Sequence, residues 1–241
     1  MTSFALKIIA LITMFCDHFG DAFIGHFSFF NLIGRIAFPI FAFQISEGFL
    51  HTKDIKKYFL RLGIFAIISQ IPFSLFTQKF LNSDTLSLNV FFTLLLGLLG
   101  IFLYKYITDL FQKYNENKKL DKLVSIHLDK ILGIVVVLLI SYVAELLNTD
   151  YGFWGVLVIF AFYLFKNDKL AMIISFITLC IIKYGIQIIQ YGYNIGYVLL
   201  GIFTALSIVF IGLYNGKQGK KIKYILYIFY PVHLLLLYFI L

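Results

Sequence analysis

Asp17, His18 and Asp21 fall within one apolar stretch, and Arg35 opens the next. An imidazole is the side chain whose ordinary pKa lets it take and return a proton near neutrality, so His18 is the candidate general base. Asp21 at i+3 shares its helix face, and Asp17 is adjacent but rotated by about 100°, so either carboxylate can hold the ring in one tautomer. A histidine at a wet helix end is the plain alternative, and two nearby carboxylates with Arg35 at similar depth put catalysis ahead of it. The Arg35 guanidinium either forks onto a carbonyl, carboxylate or phosphate oxygen or neutralises Asp17. Glu145, Asp150, Lys183 and His233 are further ionisable groups in or beside apolar runs. Lys183 either snorkels or pairs with Glu145 or Asp150. Glu47 and His51 form an i,i+4 pair, extended by Gln44, that lines an inner vestibule or is a solvated helix end. His26 and His127 read as loop residues. Cys16 and Cys180 belong to no CxxC pair or Cys/His spacing, so neither a disulfide framework nor a metal site is expected.

The elements that must position these groups follow from composition. Of 241 residues 61% are hydrophobic and 13% charged, and mean hydropathy is +0.93. A soluble chain carries about 25% charged residues, so too little polar surface remains for water, and an all-α polytopic membrane bundle is expected. A helix needs about 20 mostly apolar residues to cross the hydrocarbon core. About nine transmembrane helices can be drawn, approximately at residues 3 to 23, 30 to 50, 57 to 77, 87 to 110, 131 to 148, 152 to 166, 170 to 190, 195 to 214 and 223 to 241. The sixth is short, and with the seventh it can also be read as a re-entrant pair. Pro39 should kink or begin the second span. The first stretch outruns a signal-peptide core without an Ala-x-Ala break, so it should stay as a span. No linker or repeat divides the chain, so residues 1–241 read as one domain.

Charge orients the bundle. With the N-terminus in the cytoplasm and the C-terminus outside, every basic residue except Arg35, Lys79 and Lys183 falls on inner segments. This asymmetry explains the net charge of +8 by topology and anionic lipid, so nucleic acid is not an expected partner. Residues 105 to 130, where charges alternate with Leu123, Val124, Ile126 and Leu128, read as an amphipathic surface helix or a simple connector. By depth, His18, Asp17, Arg35, Glu145, Asp150, Lys183 and His233 converge on the outer half of the bundle. Ionisable groups there cost several kcal/mol unless paired or hydrated, so they are functional candidates.

The strings Leu6-Lys7-Ile8-Ile9-Ala10 through Asp17-His18, Gly34-Arg35-Ile36-Ala37-Phe38-Pro39-Ile40-Phe41-Ala42-Phe43 and Glu47-Gly48-Phe49 carry a resemblance. It continues through Tyr58-Phe59-Leu60-Arg61-Leu62, Gln70-Ile71-Pro72-Phe73, Asn89-Val90-Phe91-Phe92-Thr93-Leu94, Ala144-Glu145, Asp150-Tyr151-Gly152 and Phe229-Tyr230-Pro231-Val232-His233. In this order, over nearly the whole chain, they resemble the TraX family, whose founding type acetylates the N-terminus of conjugative pilin and which is grouped with the wider membrane acyltransferases. The resemblance implies an acetyl-CoA-dependent transferase of the bacterial cell membrane with His18 as base; no string declares a pilin partner.

On that reading acetyl-CoA docks at the inner lysines, Lys53, Lys56, Lys57, Lys217, Lys220, Lys221 and Lys223. Its thioester threads between helices, and His18 deprotonates an amine or hydroxyl of a peptide or glycan acceptor arriving from outside. Arg35 or Asn89 is expected to hydrogen-bond the oxyanion. His18, Asp17 and Arg35 are the catalytic candidates, and Asp21, Glu47, Asn89, Glu145, Asp150, Lys183 and His233 the supporting ones. The competing class is a transporter or channel with a buried ion or proton pathway, but the chain shows no paired halves with matching broken helices.

Overall fold

The structure, a computed structural model, describes residues 1–25, 27–82, 86–118, 122–220 and 222–240, with the backbone alone at 115–118, 122–127 and 223. His26, Lys119 and Lys221 lie outside the described residues, as do the side chains of Lys118, Lys122, Leu123, Val124, Ile126, His127 and Lys223.

The described helices are α1 (Ser3–Phe23), α2 (Phe29–Gly34), α3 (Ala37–His51), α4 (Ile55–Phe80), α5 (Val90–Lys118), α6 (Lys122–Leu146), α7 (Gly152–Leu164), α8 (Lys169–Tyr191), α9 (Ile195–Gly212) and α10 (Lys223–Ile240). Taking α2 and α3 as one broken span, the helices follow the nine segments drawn from hydropathy, with shifted ends. Among the described residues six stretches are long and apolar enough to cross a membrane: Ser3–Phe23, Phe29–His51, Ile55–Phe80, Val90–Tyr114, Lys169–Tyr191 and Ile195–Gly212.

Helix starts follow from short polar side chains that accept orphan backbone N–H groups. Thr2 caps α1, Asp54 caps α4 through Lys57 N at 3.0 Å, Asp168 caps α8 through Ala171 N at 3.0 Å, and Asn194 caps α9 through Gly196 N at 2.7 Å. The Lys57 backbone amide holds the Asp54 carboxyl below its usual range. Ser28 and Asn31 make a reciprocal capping box on α2. The first amides of α1 are also taken by the connection before α10: Ser3 N donates to Lys217 O at 2.9 Å and Phe4 N to Gln218 O at 3.0 Å.

Two features refine the hydropathy reading, and the short sixth span stands as drawn. The second span breaks at Arg35 and Ile36, ahead of Pro39. Pro39 sits in the first turn of α3, where its missing N–H costs no helical bond. Residues 105–118 and 122–130, the described part of this stretch, form no separate surface helix; they are the end of α5 and the start of α6. The sixth and seventh spans are distinct helices. The former, α7, has 13 residues, or roughly 20 Å at 1.5 Å per residue, short of the bilayer core. It packs against α3, α5, α6 and α8. Val156, Val158 and Ile159 are wholly buried there, so protein rather than lipid surrounds most of this helix.

Two connections enter the bundle rather than cross over it. Leu88 bridges to Thr149, Leu88 N donates to Asn148 O at 3.0 Å, and Asp150 N donates to Leu88 O at 2.8 Å. Behind them Asn89 donates to Ala66 O at 2.8 Å. That carbonyl lies 11 residues into α4, about 16 Å along the helix, so α5 starts deep in the protein.

Candidate functional site

Two cavities meet inside the bundle. The smaller, about 260 Å³, is lined by Asp17, His18, Asp21, Arg35, Asp150 and Tyr151 among others. The larger, about 570 Å³, opens at the end of the bundle where α1 begins and α3 ends, and carries Lys7, Lys53, Arg61 and Lys220 on its walls. Met14, Phe41, Val90 and Tyr230 line both, so these four side chains form the constriction between them.

In the smaller cavity α1 supplies the histidine and α10 holds it. His18 Nδ1 lies 2.7 Å from His233 Nε2, and His233 Nδ1 lies 2.8 Å from the Phe229 carbonyl. A carbonyl can only accept, so His233 Nδ1 carries a proton and, in a neutral ring, its Nε2 accepts. His18 Nδ1–H then donates, and the His18 Nε2 lone pair is left over. Among the described residues His18 has no other hydrogen bond. The ring is stacked on His233 at 4.9 Å and meets the edge of Phe76 at 5.3 Å, so its orientation is fixed on two sides. The expectation that Asp17 or Asp21 holds the tautomer is corrected here: that partner is His233.

The carboxylates have another task. Arg35 Nη2 binds Asp17 Oδ1 at 3.0 Å, and buried Asn31 donates to Asp17 O at 3.0 Å and to Asp21 Oδ1 at 2.8 Å. Asn31 Oδ1 in turn accepts from Ser28 Oγ at 2.6 Å. The break after α2 brings this network against α1, and a Cβ on Gly34 would collide with the Asp17 side chain. Of the two readings of Arg35, neutralisation of Asp17 is realised, while its Nε is buried without a hydrogen-bond partner among the described residues.

Other expected site residues are occupied elsewhere. The Asn89 side chain donates to Ala66 O at 2.8 Å and Gln70 Oε1 at 2.9 Å and accepts from Phe91 N at 3.0 Å. It caps α5, and both amide hydrogens are spent, so the expected oxyanion donor role is withdrawn. Glu145 accepts from Phe153 N at 2.8 Å and caps the start of α7. Lys183 forms neither expected ion pair among the described residues; its Nζ lies 4.2 Å from the Trp154 ring centroid and 4.9 Å from that of Tyr151.

In the larger cavity Gln44, Glu47 and His51 line the wall, as the vestibule reading requires. Glu47 lies beside Tyr214, whose phenol is pushed up to about 12, chiefly by burial and then by the Glu47 charge. Of the lysines expected to hold the donor, Lys53 and Lys220 line the cavity, whereas Lys56, Lys57 and Lys217 do not. Lys57 instead pairs with Asp54 at 3.2 Å. Lys7 and Arg61 were not among those lysines; both sit near helix starts on the basic side, the positional signal that could have marked them. The Arg61 Nε and Gln44 Nε2 atoms are buried and lack hydrogen-bond partners among the described residues. Asn31 was detectable from the Ser28-x-x-Asn31 capping pattern. The pairing of His18 with His233, 215 residues apart, had no local signal.

A family model described as TraX protein matches residues 3–241. The chain belongs to the TraX family. A curated relative in Dichelobacter nodosus, named a probable fimbrial assembly protein FimC of serogroup H1, is 27% identical over 252 residues, covering 98% of this chain and 94% of its own length. No solved structure matches. The family match takes in both cavities and both histidines.

Proposed function

We propose that this TraX-family protein is a membrane acyltransferase that moves an acetyl group from cytoplasmic acetyl-CoA to an amine or hydroxyl of a peptide or glycan acceptor at the outer face of a bacterial cell membrane. The observation that carries the reading is the unspent His18 Nε2 lone pair, aimed by a histidine relay into a cavity that adjoins a basic one. Charge asymmetry supports a cytoplasmic position for the basic cavity.

The basic cavity suits an anionic donor. Lys7, Lys53, Arg61 and Lys220 supply positive charge for phosphates, Tyr58 and Tyr227 supply aromatic surface, and Arg61 Nε and Gln44 Nε2, without partners among the described residues, supply hydrogen-bond donors. The acyl arm would pass Met14, Phe41, Val90 and Tyr230 to reach His18. There His18 Nε2 takes the proton of the acceptor amine or hydroxyl as its nitrogen or oxygen bonds to the thioester carbonyl carbon. The carbonyl π electrons move to oxygen, within the positive field of Arg35. Collapse restores the carbonyl and breaks the C–S bond, and His18 returns its proton to the leaving thiolate. His233 keeps Nε2 unprotonated before each cycle and stabilises the transient imidazolium. The relative's name, a fimbrial assembly protein, supports a pilus-type subunit as acceptor.

A carrier reading draws on the same meeting cavities but requires no bond breaking. Purified protein in detergent, given acetyl-CoA and a short peptide with a free N-terminal amine, separates the two. Acetylated peptide and free CoA thiol in equal amounts are expected; intact acetyl-CoA after prolonged incubation would exclude the transferase reading.

A further inference from the structure

The constriction between the cavities contains a polar group with no partner. Tyr230 is 2% exposed, and its hydroxyl has no hydrogen-bond partner among the described residues. The backbone N–H of Val90 approaches the phenol oxygen. That group can only donate, so the hydroxyl's own proton has no acceptor whichever way the O–H rotates. A buried unsatisfied donor is costly, and phenylalanine would fill the same space without that cost.

Its placement gives the hydroxyl a use. Tyr230 lines both cavities, where the basic one adjoins that of His18. Its ring centroid is 6.1 Å from that of His18 and 5.8 Å from that of His233. One turn of α10 separates it from His233, so the same helix that orients the base presents the phenol. The ring is braced edge-on by Phe91 at 5.3 Å. Phe91 and Val90 belong to the first turn of α5, the 29-residue helix that starts inside the bundle, so the positive end of its dipole faces the same point.

We propose that Tyr230 is a catalytic residue whose O–H donates to the acyl oxygen of the thioester at the constriction, completing with the α5 N-terminus the oxyanion site that Asn89 cannot provide. The claim rests on the acyltransferase reading. As the acceptor's nitrogen or oxygen bonds to the carbonyl carbon, the carbonyl π pair moves to oxygen, where the Tyr230 hydrogen bond shortens and strengthens. When the C–S bond breaks the pair returns, and the phenol keeps its proton throughout. The proton taken by His18 leaves with the thiol.

The test is Tyr230→Phe, assayed by CoA thiol release from acetyl-CoA with hydroxylamine as surrogate nucleophile, alongside wild type and His18→Ala. Loss of one oxyanion donor should lower kcat about 10²-fold to 10³-fold and leave the donor KM within a few-fold. Because the hydroxyl satisfies nothing in the resting protein, the variant should melt at or above the wild-type temperature. A wild-type kcat, or a fall in melting temperature large enough to account for lost turnover, would overturn the role of Tyr230. Turnover by wild type with none by His18→Ala and full rate in Tyr230→Phe would sink this inference while leaving the transferase reading standing. No turnover by wild type would sink both.

Discussion

The two cavities meet at four side chains yet differ in charge and in how their central groups are held. Around His18 the charged and ring groups are held by protein partners, Arg35 by Asp17, Asn31 by both aspartates, His18 by His233 and His233 by a carbonyl, while Arg35 Nε, Thr149 Oγ1 and the Tyr230 hydroxyl have no hydrogen-bond partner among the described residues. In the basic cavity the Arg61 Nε and Gln44 Nε2 atoms likewise have no partner among the described residues, but here Lys7, Lys53, Arg61 and Lys220 line the wall. A closed network fixes the direction of one lone pair, which proton transfer requires. An open set of charges and donors can adjust to a large anionic ligand. The contrast suggests that chemistry resides in one cavity and donor affinity in the other.

Substitutions can break that division. The largest effect is expected for His18→Ala, which should reduce kcat by about 10² to 10⁴ while the protein still inserts and keeps its helical circular dichroism. Next, His233→Phe removes the acceptor that fixes the His18 tautomer; acetyl transfer should fall on the order of 10²-fold in kcat with little change in donor KM. If donor KM rises instead, the relay belongs to binding and the division fails. Arg61→Glu should act the other way, raising the acetyl-CoA KM roughly tenfold at constant kcat, and more at low salt, since screening acts over about 8 Å at physiological ionic strength. The smallest effect sharpens the comparison. Lys57→Glu lies on the same basic side but outside the cavity wall and is paired with Asp54, so its donor KM should stay within about twofold, as expected for a surface ion pair. An equal rise for Lys57→Glu and Arg61→Glu would mean that general surface charge, not this cavity, attracts the donor.

The fold was legible in the sequence to the extent that a bilayer imposes it. Apolar runs of about 20 residues have one solution in lipid, a helix, and α1, α4, α8 and α9 follow the drawn spans within a few residues. The break at Arg35 was not legible, because Pro39 drew attention to itself while the chain interrupted the helix earlier to bring Arg35 onto Asp17. Half of the site was legible for the same reason as the fold. Asp17, His18 and Arg35 stood out because ionisable groups are expensive in apolar runs. What decides their chemistry is long-range. His233 finds His18 across 215 residues, and a sequence scan offers nearby Asp21 as the easier partner. Asn89 looked available because its polar side chain showed, whereas Ala66 O and Gln70 Oε1, which consume it, are visible only once α4 and α5 pack. Tyr230 was one aromatic residue among 16 tyrosines, and nothing in its type announces a hydroxyl without a partner.

The most direct test of the central claim is sidedness in proteoliposomes containing oriented protein. Labelled acetyl-CoA is supplied on the face bearing Lys53 and Lys220, and a membrane-impermeant peptide with a free amine on the opposite face. The expected result is label on the peptide with wild-type protein and none with His18→Ala, although donor and acceptor never share a compartment. Label appearing only when both are placed on one side would contradict a passage from the basic cavity through the constriction to His18.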